Sequence, residues 1–453
     1  MKTKLYIPDF YCPAEDIFEI YKDSPMAVFL DSSLENQLGQ YSIIGLHPYL
    51  VLTEKDGICL CNEIPQHKTF EELLQYYLDL YREENPTDLP LISGAIGYLS
   101  YDYGRKFEQI QSRHPKKVQV PEAVMAFYDV LIIDDKRKKM LTITARGELQ
   151  TSEQSLEEII RTIKSASPAP LPQKHKNLAD FSADFTKEEY KKAVDEVISY
   201  ITRGDIYIMN MTQQLEILSK KPPYDVYRYL RTYNPSPFGG YFQYGDFQIV
   251  GASPERFLKV SHGVVETRPI KGTRKRGKTP EEDAAMRQEL IDSSKDHSEL
   301  LMIVDLERND LNHVCVPGSV QVTKHFDVEA YATVFHLVTT IVGKLRNHLP
   351  ITELLPAAFP GGSITGAPKI RSMEIIDELE HDRRNLYTGS MGYLSLDGSC
   401  DLNIIIRTAV HQNGHYYLGV GGGITCESDL EFEYEETIQK AKALLEAMWE
   451  ESK

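Results

Sequence analysis

The sequence predicts an α+β fold in which large, mostly antiparallel β-sheets are covered by helices. Three observations predict it. Strand-like runs cluster together instead of alternating strictly with helices, which disfavours a doubly wound parallel sheet. Helical stretches open on recognisable caps, as at Thr186 and Glu189, a pair that satisfies the first free N–H groups of a helix. The 453 residues, 42% of them apolar, are enough for a large packed core.

Taken in order, short strand-like runs at 26–30, 41–44, 124–133 and 140–144 surround a helical segment at 69–81. This first part carries no evident chemistry. A polar helical stretch at 153–164 leads into SASPAPLPQKHKN, whose Pro, Ser and Lys content suits an exposed connector. A boundary is expected there, dividing the chain into residues 1–165, a linker over 166–180 and a second region over 181–453. Tyr190, Ala193, Val194, Val197, Ile198 and Ile201 then recur at helical spacing up to a stop at Gly204. Strands are expected at 206–218, 240–250 and 264–270, then a long helical region at 280–311 and a helix at 368–379. Further strands are expected at 392–396, 402–410 and 416–420. A last helix runs from Ser428 to about Glu450, opened by a second capping pair, Ser428 and Glu431.

Charge excludes one class of function. Lys plus Arg number 50 against 67 Asp plus Glu, a net charge of -17, and an acidic surface repels nucleic acid. The N-terminus has no apolar core of signal-peptide length. No apolar stretch approaches the roughly 18–20 residues that span a bilayer, so a soluble, cytoplasmic protein is expected. Six scattered cysteines read as ordinary thiols, without a disulfide framework or zinc-site spacing.

Three constellations could carry chemistry. The last helix reads Glu433, Glu436, Lys440, spacings that put two carboxylates and an ammonium on one face. Asp296 and Glu299 form a second pair, immediately before the apolar run LLMIV. Such acids serve either as solvated faces or, if the two helices meet across a cleft, as ligands for a hard divalent cation, Mg2+ above all. In FPGGSITGAPKI, the glycines permit close backbone approach and the helix starting at Pro368 would aim N–H groups at a phosphate or carboxylate. The run Gly421, Gly422, Gly423 offers a second bare backbone surface, or else a bulge or tight bend. In PIKGTRKRGK, Arg274, Lys275, Arg276 and Lys278 are expected to be solvated. Lys271, beside Pro269, Ile270 and Gly272, is either a simple surface lysine or a partly buried nucleophile. His336 reads as a core histidine, and His411 and His415 as a hairpin tip around Asn413-Gly414.

Together ASPERF, RPIKGT, ELLMIVDLERND, HLVTT, FPGGSITGAPK, GGGIT and EYEET, in that order, resemble the chorismate-utilising enzymes. The resemblance is dense from about Tyr190 onward. Upstream, FLDSS and QYSIIG, and within the second region NPSPF, resemble the amino-acid-pocket segments of the anthranilate and aminodeoxychorismate branches. The resemblance implies a sandwich of sheets with helices outside and a first region, like that of anthranilate synthase component I, packed into the same body. It implies Mg2+ coordination by Glu299 and Glu436, with Asp296 and Glu433 close by. It assigns the substrate carboxylates to Arg407, Lys440, Thr365, Gly366 and the backbone of Gly421, Gly422 and Gly423, with Tyr387 lining the pocket. Glu255 matches the family's general acid, and His336 the histidine beside the substrate ring.

The resemblance also implies a branch. Water-adding members carry a lysine base where this chain has Gln213, which cannot deprotonate water. Lys271 in PIKGT, where anthranilate synthases usually have alanine, marks the branch that aminates chorismate without releasing pyruvate. Lys271 is then the expected nucleophile, Glu255 the acid, and ammonia the second substrate. No cysteine lies in a glutaminase-like Gly-x-Cys-x-Gly setting, so a separate glutamine amidotransferase subunit is the expected ammonia source. The alternatives are anthranilate synthesis, a non-catalytic protein on the same fold, and a phosphate-binding enzyme using SITGAPK.

Overall fold

A computed structural model describes residues 2–331, 334–347 and 349–451. Its centre is a long ladder between Tyr41–Lys55 and Ala123–Asp135. Both strands are long and rich in β-branched and aromatic residues, which gives them the reach to serve two sheets. In one direction, residues 43–45 pair with Val28–Asp31, and the sheet continues through Phe238–Gln243, Phe247–Ser253, Thr408–Gln412 and His415–Ile424 to Ile208–Leu218. In the other, residues 123–127 pair with Gly94–Leu99. That sheet continues through Ser390–Ser395, Cys400–Asn403, Arg256–Ser261 and Val264–Thr267 to Val334–Lys344. Every strand pairing among the described residues is antiparallel.

The sheets pack face to face. Ile96, Tyr98 and Met391 of one share a core with Val28, Phe242, Ile249 and Val410 of the other. Helices Phe70–Leu80 and Ser294–Asn312 bury their apolar stripes on one outer face, and Pro223–Tyr233 and Leu430–Met448 on the opposite one. Lys187–Arg203, held at its start by the expected Thr186 and Glu189 box, lies beside Leu430–Met448. Strands Val28–Asp31 and Gly94–Leu99 thus each pair on one side with a strand from beyond residue 180 and on the other with a strand of the first region. Residues 166–180 form neither helix nor strand, and the Tyr229 and Tyr233 hydroxyls donate to the carbonyls of His175 and Pro172 along this stretch. All six cysteines are free, and no described helix is long and apolar enough to cross a membrane.

Several expected elements divide, each for a local reason. The 240–250 strand is two, because Gly245 at φ 75° turns the chain between them. The 264–270 run ends at Thr267, and Ile270–Lys275 begins anew after Pro269, which has no N–H to continue a ladder. The 402–410 run breaks around Arg407, whose φ of 49° lies outside the range of extended strands. The 280–311 helix is Pro280–Asp292 and Ser294–Asn312, since Ser293 is extended and its hydroxyl accepts from Asp296 N at 3.3 Å. The last helix is capped by Asp429, which accepts from Phe432 N at 2.9 Å, and not by Ser428 with Glu431.

Candidate active site

A cavity of about 650 Å³ opens between the ends of the 208–218, 270–275 and 415–424 strands and the helices 294–312 and 430–448. The glycine run makes room for it. Gly421, Gly422 and Gly423 are regular strand residues opposite Thr212, Met211 and Asn210, so no bulge forms there. A Cβ at Gly422 would lie 2.6 Å from Glu436 Oε2, and one at Gly423 would lie 3.0 Å from Lys271 Nζ. Two charged groups therefore stand where side chains would otherwise be. Tyr387 covers Gly419 so closely that a Cβ would fall 2.1 Å from its ring.

Helices 294–312 and 430–448 bring Asp296 and Glu299 together with Glu433, Glu436 and Lys440 along one wall of this cavity. Lys440 Nζ lies 3.1 Å from Glu436 Oε2 and donates to Gly421 O at 2.8 Å. Ser428 donates to Glu433 at 2.7 Å, and Arg274 to Asp296 at 3.0 Å. Burial pushes the carboxyl pKa of Glu433 up to about 7, and the charge of Glu436 adds to it. Burial also raises that of Glu299; Lys271 and Lys295 oppose the rise, whereas Asp296 and Glu436 reinforce it. These acids repel one another and present hard oxygen donors, the chemistry that suits Mg2+. Among the described residues no three acids or histidines approach closely enough to hold a metal by themselves. Glu299 and Glu436 are the residues that would hold such a cation, with Asp296 and Glu433 near.

The other candidates line the same cavity, and a Cβ at Gly423 would lie within 4.0 Å of both Lys271 Nζ and Glu299 Oε2. Lys271 lies in the 270–275 strand, and its Nζ donates to Ser363 O at 3.2 Å. Gly272 at φ 70° makes a bulge between Lys271 and Thr273 in the ladder with 334–344. Glu255 is buried, and burial raises its carboxyl pKa against the opposing charge of Lys271. His336 is buried, with Nδ1 3.0 Å from Thr273 Oγ1 and Nε2 unpartnered among the described residues. Burial, with the charges of Arg407 and Lys440, holds the imidazole pKa down at about 3, so the ring is neutral at physiological pH. Arg407 also lines the cavity. Burial lowers its guanidinium pKa, and no carboxylate among the described residues pairs with it, which leaves a cation ready for an anionic ligand.

Some expected residues lie elsewhere. Thr365 is fully buried behind the wall, its hydroxyl donating to Gly361 O at 2.9 Å, and Gly366 pairs with Met209 in a short strand. The FPGGSITGAPK loop reaches the cavity through Ser363 and Ile364 only. The helix after it starts at Lys369, with Pro368 as its cap, and Lys369 is buried against Asp310 at 2.7 Å, so its N–H groups do not serve the cavity. Gln213 is buried and donates to Thr437 at 2.6 Å. The basic loop is not simply solvated. Arg274 bridges Glu289 and Asp296, whereas Arg276 forks onto Asp283 and stacks on Phe335; Lys275 and Lys278 are exposed.

Sequence reasoning missed the supports. Arg384 and Glu380, paired at 2.6 Å and almost fully buried, tie the SITG loop to the 208–218 strand. Arg384 donates to Ile364 O and Asn210 O, and Glu380 accepts from Thr212 N. The only local signal was their four-residue spacing on a polar stretch. A second cavity of about 540 Å³ joins Asp31 and Ser32 of FLDSS to Pro237 and Phe238 of NPSPF, segments brought together by pairing of 28–31 with 238–243.

Residues 29–446 match the chorismate binding enzyme family. Aminodeoxychorismate synthase component 1 of Klebsiella aerogenes is 36% identical over 440 residues, 95% of this chain and 96% of that protein. Anthranilate synthase component 1 of Aquifex aeolicus is 35% identical over 388 residues, 83% of this chain and 78% of that protein. The crystal structure of anthranilate synthase component I from Streptococcus pneumoniae superposes with a TM-score of 0.82 at 31% identity, over 91% of this chain and 93% of that one.

Proposed function

Because the chain belongs to the chorismate binding enzyme family, we propose that its cavity takes chorismate and ammonia and gives 4-amino-4-deoxychorismate and water, the activity of an aminodeoxychorismate synthase component 1. This product leads to p-aminobenzoate and folate. The observation that carries the reading is Lys271 Nζ, which lies inside the cavity, 3.2 Å from Ser363 O and over bare Gly423.

In this reading Arg407 and Lys440 bind the substrate carboxylates, Tyr387 lines the ring, and neutral His336 packs beside it. Mg2+ held by Glu299 and Glu436, with Asp296 and Glu433 near, would draw electron density toward the ring carboxylate. Lys271 first loses a proton to solvent, and the amine so formed bonds to C2 as the diene shifts and the C4–O bond breaks. Glu255, whose carboxyl pKa burial raises, is the acid that gives the departing hydroxyl its proton, and water leaves. Ammonia then bonds to C4, the diene shifts back, and the C2–N bond breaks to restore the lysine. The proton shed by the new ammonium returns to Glu255. Pyruvate is retained throughout.

The relatives named component 1 point to a second component, and a glutamine amidotransferase subunit is the partner that supplies ammonia. The chain alone should then use ammonium but not glutamine. Anthranilate synthesis is the second reading, since a relative of that name matches at 35% identity beside the 36% of the other. Product identification from chorismate, Mg2+ and ammonium separates the two. Aminodeoxychorismate without pyruvate is expected, and Lys271→Ala should lower kcat by about a hundredfold or more. Fluorescent anthranilate with released pyruvate favours the second reading. Normal turnover by Lys271→Ala, with no lysine adduct in intact-mass spectra, removes the covalent step.

A further inference from the structure

We propose that Arg274 is a latch on the cation site, holding one oxygen of Asp296 and so withholding that carboxylate from a cation between Glu299 and Glu436. The inference rests on the Mg2+ reading above and adds a positioning residue to it. Arg274 Nη2 donates to Asp296 Oδ2 at 3.0 Å, Nε to Glu289 Oε1 at 2.6 Å, and Nη1 to Thr273 O at 3.1 Å. One guanidinium therefore ties helix 280–292 to helix 294–312 across the break at Ser293. All three side chains line the cavity.

The other oxygen of Asp296 lies over bare Gly272, where a Cβ would fall 2.9 Å from Asp296 Oδ1, so the carboxylate is seated against the strand that carries Lys271. Asp296 is one helical position set before Glu299, on the same face, and its side chain is only 14% exposed. Lys295, on the same helix, is looser: its Nζ stands 3.9 Å from Glu299. Only the planar fork of an arginine can hold Asp296 and Glu289 at once. A cation that recruits the held oxygen of Asp296 must displace Arg274, and one that uses the other oxygen shares the carboxylate's charge with it, so the latch keeps cation affinity low.

The test titrates Mg2+ alone into the full chain, by calorimetry and by Mg2+-dependent shift of Tm. Arg274→Gln is expected to bind Mg2+ roughly tenfold more tightly than wild type. In an Asp296→Asn background the same change should have no effect, because the latched oxygen is gone. Arg274→Lys keeps the charge without the fork and should gain roughly threefold. Unchanged affinity in Arg274→Gln, or a gain that persists beside Asp296→Asn, overturns the latch, as does wild-type affinity in Arg274→Lys. Absence of Mg2+ binding by wild type and variants alike overturns the cation reading with it. Melting without Mg2+ shows whether each variant is folded.

Discussion

Glycines decide where the reactive side chains stand. Gly423 and Gly422 leave the space taken by Lys271 and Glu436, and Gly419 leaves the space taken by the Tyr387 ring. The three differ in what would have to move. A Cβ at Gly423 meets the free end of a lysine, which shifts easily, but at Gly419 it meets ring atoms of a buried tyrosine at 2.1–2.2 Å. Gly419→Ala is therefore expected to displace Tyr387 into the cavity. It should lower kcat/KM by about tenfold or more while costing roughly 1–3 kcal/mol of stability as an overpacking change. Steady-state kinetics and urea unfolding read the two effects separately, and wild-type kinetics with Gly419→Ala would show that the ring does not shape the site. The glycine run was legible in the sequence as bare backbone. Its neighbours were legible only through the family resemblance and not from spacing, because Lys271, Glu436 and Tyr387 reach it from three distant segments.

Elements hold the site through a few buried polar ties. The Glu380 carboxylate accepts from Arg384, Thr212 N and Thr212 Oγ1, so one side chain joins the end of helix 369–379 to the 208–218 strand. Truncating Arg384 leaves that carboxylate buried without its cation, a loss of about 3–5 kcal/mol. Arg384→Ala is expected to lose stability on that scale. It should lower activity as well, because Ile364 O and Asn210 O lose their donor and both residues line the cavity. Chemical denaturation checks the first effect and turnover at a temperature where the variant is folded checks the second. A loss under 1 kcal/mol would mean that Glu380 finds another partner. Capping residues made the start of helix 187–203 legible, since Thr186 and Glu189 act locally. The breaks at Ser293 and Arg407 were not legible, because each is set by what packs against the segment and not by an apolar pattern within it.

Across the whole molecule, buried acids set how stability follows pH. Antiparallel sheets under helices were legible as a fold class because the strands read as clusters apart from the helices, and their packing as a sandwich followed from the family resemblance. Which strands share a sheet was not, because Val28–Asp31 and Gly94–Leu99 find partners some two to three hundred residues away along the chain. That long-range closure buries several carboxyls without a full complement of cations. Burial pushes Asp102 and Asp134 up to about 6, Asp184 up to about 7 and Glu307 up to about 8. Asp31 is the counterexample: Arg231 and Lys136 outweigh its burial and lower its pKa. A raised carboxyl binds more protons in the folded chain than in the unfolded one between its unfolded and folded pKa values, so stability falls as pH rises through that window. For Glu307, which accepts from Thr267 at 2.8 Å and feels Glu255 and Asp310, the window runs from the ordinary carboxyl range near 4.5 to about 8. Tm should therefore decline between pH 5 and pH 8. Glu307→Gln keeps the shape of the neutral acid without its ionisation, and should recover on the order of 1–2 kcal/mol at pH 8 while changing little at pH 5. Calorimetric unfolding of both proteins across that range reads the slope directly, and parallel curves would show that Glu307 does not carry it.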